Sequence, residues 1–115
     1  MHKDNLSNND KFGLLEEDLE FNKKLKEYFI KTCSDKISEI YKSLDEGNIT
    51  NAYRLAHTIK GNAAQLGKTH LQKAAAEVEG LLKNGKNDVT DAHLKNLEME
   101  LKAVIIEFNG SNDAG

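Results

Sequence analysis

Between Phe12 and Phe108 apolar residues recur three and four positions apart, in runs separated by short polar stretches that contain glycine. That spacing gathers side chains on one face of a helix with 3.6 residues per turn, and it lacks the alternation a half-buried strand needs. The chain has no proline, so no run carries the residue most disruptive to a helix interior. An all-α fold is the expectation.

The runs can be bounded by their start and stop signals. Residues 1–11 are polar and unpatterned and are expected to form a disordered tail. Residues 12–19 predict a short first helix. A long second helix is expected from Phe21 to Asp45, with Leu25, Phe29, Cys33, Ile37, Ile40 and Leu44 in step. Gly47 ends it, and Asn48 or Thr50 can cap a third helix that stops at Gly67. Thr69 opens a fourth, striped by Leu71, Ala74, Ala75, Val78, Leu81 and Leu82, which ends near Asn84 and Gly85. A fifth starts between Val89 and Asp91 and shows Leu94, Leu97, Leu101, Val104, Ile105 and Phe108. Short connections between amphipathic helices favour antiparallel neighbours. The prediction is therefore an antiparallel up-down four-helix bundle over residues 12–108, with a short extra N-terminal helix and a flexible C-terminal tail at 109–115.

A chain of 115 residues suits one domain with one core. Charged residues make up 30% of it and give a net charge of −3; a nucleic-acid binder would carry a basic stripe instead. The single cysteine, Cys33, excludes an internal disulfide and falls on the apolar stripe, as a buried thiol in a reducing compartment would. No apolar run approaches the roughly 20 residues that span a bilayer, and no charged-then-apolar leader opens the chain. A cytoplasmic location without membrane insertion is expected.

One helix stands apart in what its exposed face carries. Ala52, Leu55, Ile59, Ala63 and Leu66 form its core stripe, and His57 falls almost diametrically opposite at about 100° per residue. Lys60 at i+3 and Gly61 at i+4 are its neighbours on the helix surface. Glycine inside a helix costs about 1 kcal/mol relative to alanine, and Gly61 points away from the stripe that would use it for packing. Close approach of another protein to an exposed imidazole is a sufficient reason for it. Tyr53, Arg54, Gly61, Ala64, Gln65 and Lys68 all lie within about 80° of His57 by the wheel and form the expected partner-binding surface.

Residues 56–67, AHTIKGNAAQLG, closely resemble the phosphorylation-site helix of histidine-containing phosphotransfer (HPt) domains of phosphorelays. The family pattern of His, an aliphatic residue, Lys, Gly, small residues and a second Gly is met at His57, Ile59, Lys60, Gly61, Ala63, Leu66 and Gly67. It departs at Asn62, where the family more often has a smaller residue. The resemblance implies a phosphocarrier without an ATP-binding or catalytic domain of its own. His57 would accept a phosphoryl group from an aspartyl phosphate on a receiver domain and pass it on. Lys60 would offset charge on the phosphoryl oxygens. In the similar domains of chemotaxis kinases a glutamate on the following helix orients the imidazole, and the matching residue here is Glu79. Response-regulator receivers are the implied partners, with a hybrid histidine kinase as a further one. The carrier itself is expected to be a monomer without a cofactor, Mg²⁺ being supplied by the receiver.

Two other readings stay open on these residues: a helical interaction module without phosphotransfer, and the phosphotransfer domain of a chemotaxis-type kinase. Other chemistry finds little support. GNAAQLGKT at 61–69 mimics a phosphate-cradling loop, but five residues separate its glycines where that loop needs four, and no strand precedes it. A metal site in a bundle core would want Glu-x-x-His pairs, and Arg54, Gly67 and Thr90 stand three before His57, His70 and His93. The Ser, Cys and His residues form no hydrolytic constellation along the chain.

Overall fold

Helices account for nearly every described residue, and no strand occurs among them. The structure is a computed structural model describing the backbone of residues 19–114 and the side chains of residues 19–110. The expected N-terminal tail and the short helix at 12–19 lie outside these residues, apart from Leu19. Among the described residues, helix α1 takes in residues 19–33, α2 Lys36–Asp45, α3 Ile49–Gln65, α4 Thr69–Leu81 and α5 Asp91–Ala114. Helix α3 packs against α2 and α4, and α4 against α5. Edge-to-face packing of Phe29 on Phe108, 5.6 Å between centroids at 80°, closes the bundle between α1 and α5.

The second helix expected from Phe21 to Asp45 is instead two helices, α1 and α2, broken at Ser34–Asp35. The Ser34 hydroxyl donates to the Ile30 carbonyl, which also accepts the Ser34 backbone N–H. Such back-bonding to the carbonyl four residues earlier bends helices. The apolar spacing runs through the bend, since Phe29, Cys33, Ile37 and Ile40 are all buried. Periodicity alone therefore could not reveal it. Together α1 and α2 occupy one position of a four-position bundle, and α3, α4 and α5 take the others.

The helix boundaries follow from local chemistry. Asn48 caps α3, its Oδ1 accepting the Asn51 N–H at 3.1 Å. The Asn51 amide in turn donates to buried Ser43 on α2 at 2.7 Å, tying the two helices at their junction. Gly67 adopts φ +69°, which an L side chain rarely tolerates, and the Lys68 N–H returns to the Ala63 carbonyl at 2.9 Å. The chain thereby reverses into α4. Helix α5 opens on a reciprocal cap in which Thr90 Oγ1 accepts the His93 N–H and His93 Nδ1 accepts the Thr90 N–H, a histidine version of the capping box.

At its other end α5 runs to Ala114, where a tail from residue 109 was expected. Its last described core residue is Phe108. Extending a helix that packing has already nucleated fixes one residue per added hydrogen bond, so the backbone can continue past the core.

Candidate functional site

Helix α3 buries Ala52, Leu55, Ala56, Ile59 and Ala63, and α4 buries Leu71, Ala74, Ala75, Val78 and Glu79. Small buried residues on both helices permit close approach of their axes. Glu79 is the one charged member of this set. A buried carboxylate needs partners, and it has two. Its Oε2 lies 2.5 Å from His57 Nδ1, and its Oε1 lies 2.6 Å from Lys60 Nζ.

The three groups form one bridged constellation. Burial alone would raise the Glu79 pKa, but hydrogen bonds from Lys60 and His57, with their charges, outweigh it and hold the carboxyl below its ordinary value. Ionised, Glu79 can only accept, so the proton between it and His57 belongs to Nδ1. In the neutral ring, that tautomer leaves Nε2 with its lone pair. The imidazole side chain is 61% exposed, so this nitrogen is placed on an accessible ring.

His57 is thus exposed, as expected from the wheel, but it does not stand clear of the bundle. Its Nδ1 edge is turned to α4. The wheel compares His57 only with the core stripe of α3 and cannot show the flank that a neighbouring helix covers. Lys60 likewise does not project freely toward an incoming anion, because its ammonium is taken up by Glu79.

The expected partner-binding residues divide in two. The Tyr53 ring lies nearly parallel to the His57 ring, at 6.4 Å and 11°. Gly61 and Ala64 are exposed, and a Cβ built on Gly61 would meet no heavy atom within 4 Å. Arg54 is exposed on the same helix, its guanidinium donating to Asn51 Oδ1.

Gln65 and Lys68 fall elsewhere. Gln65 borders a groove with Asn22, Leu25 and Lys26 of α1, about two turns from His57. Lys68 pairs with Glu107 of α5 at 2.6 Å and lies over the Phe108 ring. Helix α3 ends at Gln65, so a wheel angle holds for Gln65, and the reversal at Gly67 cancels it for Lys68.

Asn62, the departure from the family pattern, donates to the buried Cys33 sulfur at 3.4 Å. Burial raises the Cys33 pKa, against smaller opposing effects from Asn62 and Lys36. The extra amide is therefore matched by a partner on α1. Sequence reasoning passed over Gly80, which follows Glu79 on α4, is exposed, and has open space where a Cβ would stand. The signal that marked Gly61, a mid-helix glycine beside a candidate residue, applies equally to it.

Among the described residues, no group of three or more His, Cys, Asp or Glu side chains is placed to hold a metal ion. No helix there is long and apolar enough to cross a membrane. A model of the Hpt domain matches residues 24–106, a span that takes in α3, α4 and the whole constellation. No curated protein and no solved structure matches the chain.

Proposed function

Because the chain belongs to the Hpt domain family, which serves histidine phosphotransfer in phosphorelay signalling, we propose that His57 is its phosphoacceptor and that Glu79 and Lys60 prepare the imidazole for that role. The observation that carries the reading is the 2.5 Å contact from His57 Nδ1 to Glu79. In the neutral ring it favours the proton on Nδ1, which leaves the lone pair on Nε2.

The reaction moves one phosphoryl group. Nε2 attacks the phosphorus of an aspartyl phosphate on a receiver domain, an N–P bond forms, the P–O bond breaks, and the aspartate leaves as a free carboxylate. The ring gains positive charge as its lone pair is shared, and the adjacent Glu79 carboxylate offsets it. Lys60 balances Glu79, so the incoming phosphoryl oxygens do not meet an uncompensated anion. Phosphoryl transfer asks mainly for positioning and charge stabilisation, and Mg²⁺ bound by the receiver supplies the remainder. Tyr53, Gly61, Ala64 and Gly80 make the docking surface, with Arg54 at its edge. The groups around the histidine are small or flat, which suits a transient interface.

Incubation with a phosphorylated receiver should yield an acid-labile, alkali-stable phosphoprotein, and His57→Gln should abolish the label with the circular dichroism unchanged. Label retained in that variant, or found on His70 or His93, would overturn the assignment. A domain that takes no label from any donor would be an interaction module instead. The Glu79 contact also favours a second reading, the phosphotransfer domain of a chemotaxis-type kinase, in which an ATP-binding kinase domain phosphorylates His57 directly. Labelling by a kinase domain with ATP but not by a phosphorylated receiver would select it.

A further inference from the structure

The outer face of α5 carries a second apolar stripe that the bundle does not use. The core residues Leu94, Leu97, Leu101, Val104 and Phe108 are buried, whereas Ala92, Asn96, Met99, Ala103, Ile106 and Gly110 are exposed on the opposite side. Met99 and Ile106 are 68% and 70% exposed, the highest values among the large hydrophobic residues described. Ala92, Met99 and Ile106 repeat every seven residues, and Asn96, Ala103 and Gly110 do the same four positions on. This is a heptad seam, with alanine, methionine and isoleucine at one apolar position and asparagine, alanine and glycine at the other.

The charges beside the seam indicate what covers it. Lys95 and Lys102 line one flank, Glu100 and Glu107 the other. In a parallel pair of helices the two flanks of opposite partners meet, at an offset of five residues. Lys95 then faces Glu100 of the other copy, and Lys102 faces Glu107. An antiparallel pair would set lysine against lysine. Glu107 holds Lys68 through Oε2, and a second cation on the same carboxylate is compatible with that contact. Lys102 pairs with Glu98 of its own helix at 3.0 Å, an exposed pair that a Glu107 of the other copy would have to share or displace. A lone asparagine at the apolar seam is a known device for holding register, at some expense of stability, and Ala103 and Gly110 leave room for close approach.

We infer that the α5 face formed by Met99, Ala103 and Ile106 is a parallel, two-fold homodimer seam, with Lys95–Glu100 and Lys102–Glu107 pairs between copies. Helix α3 packs beside α2 and α4, and α4 stands between it and α5, so the seam and the exposed face of His57 belong to different sides of the bundle. A dimer joined through α5 would present two open histidines. With alanine, glycine and asparagine along half the seam, the association is weak and concentration-dependent.

Sedimentation equilibrium of the full chain at low salt, from about 10 µM to about 1 mM, tests it. A reversible monomer–dimer equilibrium is expected. Ile106→Glu should raise the dissociation constant by about tenfold or more without changing the helical circular dichroism, since that side chain is exposed. Lys95→Glu should weaken the dimer, and the double variant Lys95→Glu/Glu100→Lys should restore it. Asn96→Cys should give a symmetric disulfide dimer on mild oxidation. A chain monomeric throughout this range would overturn the proposal, including one whose α5 face is covered by its own residues 1–18. A dimer indifferent to Ile106→Glu, or strengthened by Lys95→Glu, would overturn it equally.

Discussion

His57 Nδ1 lies 2.5 Å from Oε2 of Glu79, although 22 residues separate them in the chain. The same carboxylate holds Lys60 through its other oxygen. A histidine one turn from a lysine is a common surface arrangement. A buried anion shared by both makes it a site with a defined proton position, and most of what can be tested follows from that anion.

Glu79→Gln keeps the shape and removes the charge. The carboxamide can donate as well as accept, so the preference for a proton on Nδ1 weakens. Transfer to His57 should fall by about 10- to 100-fold, the scale on which loss of the carboxylate that orients a metal-ligating histidine acts. Imidazole nitrogen shifts in NMR should move toward the other tautomer, while the amide spectrum of the core stays in place. An unchanged tautomer would show that Glu79 does not orient the ring.

The depressed Glu79 pKa carries a pH dependence of stability. A carboxyl whose folded pKa lies below its unfolded value, about 4.3 for glutamate, binds protons more readily unfolded. It therefore contributes stability that is fully present above the unfolded pKa and is lost as pH falls through the folded one. Urea unfolding at pH 7, 5, 4 and 3 should show a decline in the acid range for the native chain that is smaller for Glu79→Gln. Equal slopes for the two proteins would contradict the assigned shift.

Gly61 separates docking from packing. Open space around it means Gly61→Gln should leave the fold intact and stabilise α3 by a few tenths to about 1 kcal/mol, while slowing transfer from a receiver through bulk. Ala64→Arg should weaken receiver association and transfer together, and Lys95→Glu on α5 should affect neither. An NMR titration with an unphosphorylated receiver is the check. Perturbed amides confined to α5 would refute the docking surface.

Lys68 should behave as a structural residue. Its contacts are Glu107 and the Phe108 ring, so Lys68→Ala should cost about 0.5–1.5 kcal/mol, the combined scale of a partly exposed ion pair and a cation–π contact. Phosphotransfer should be unaltered. Loss of transfer with stability unchanged would return Lys68 to the partner-binding surface.

The helical class, the order of the helices and most of their ends were legible in the residues. Hydrophobic spacing states which face of a helix is buried, and Gly47, Asn48, Gly67 and Thr69 mark boundaries through backbone geometry and capping, which are local effects. The candidate acceptor was legible for the same reason, because His57, Lys60 and Gly61 share one helix surface. The bend at Ser34 was not, since the apolar spacing continues across it and the serine hydroxyl that bonds back to Ile30 reads in the sequence as any exposed polar side chain.

What tertiary structure alone decided is how faces of different helices meet. The residues offered Glu79 as one acid among many, matched to an orienting role only by resemblance. The packing of α4 on α3 turned it inward onto His57 and Lys60. The same kind of event took Lys68 off the histidine surface, because the turn at Gly67 ends the helix on which its angle is counted; Gln65 keeps its angle on α3 but lies about two turns from His57. Periodicity encodes direction relative to a helix axis. Contact across helices depends on the distance and rotation between axes, and the whole core sets those at once.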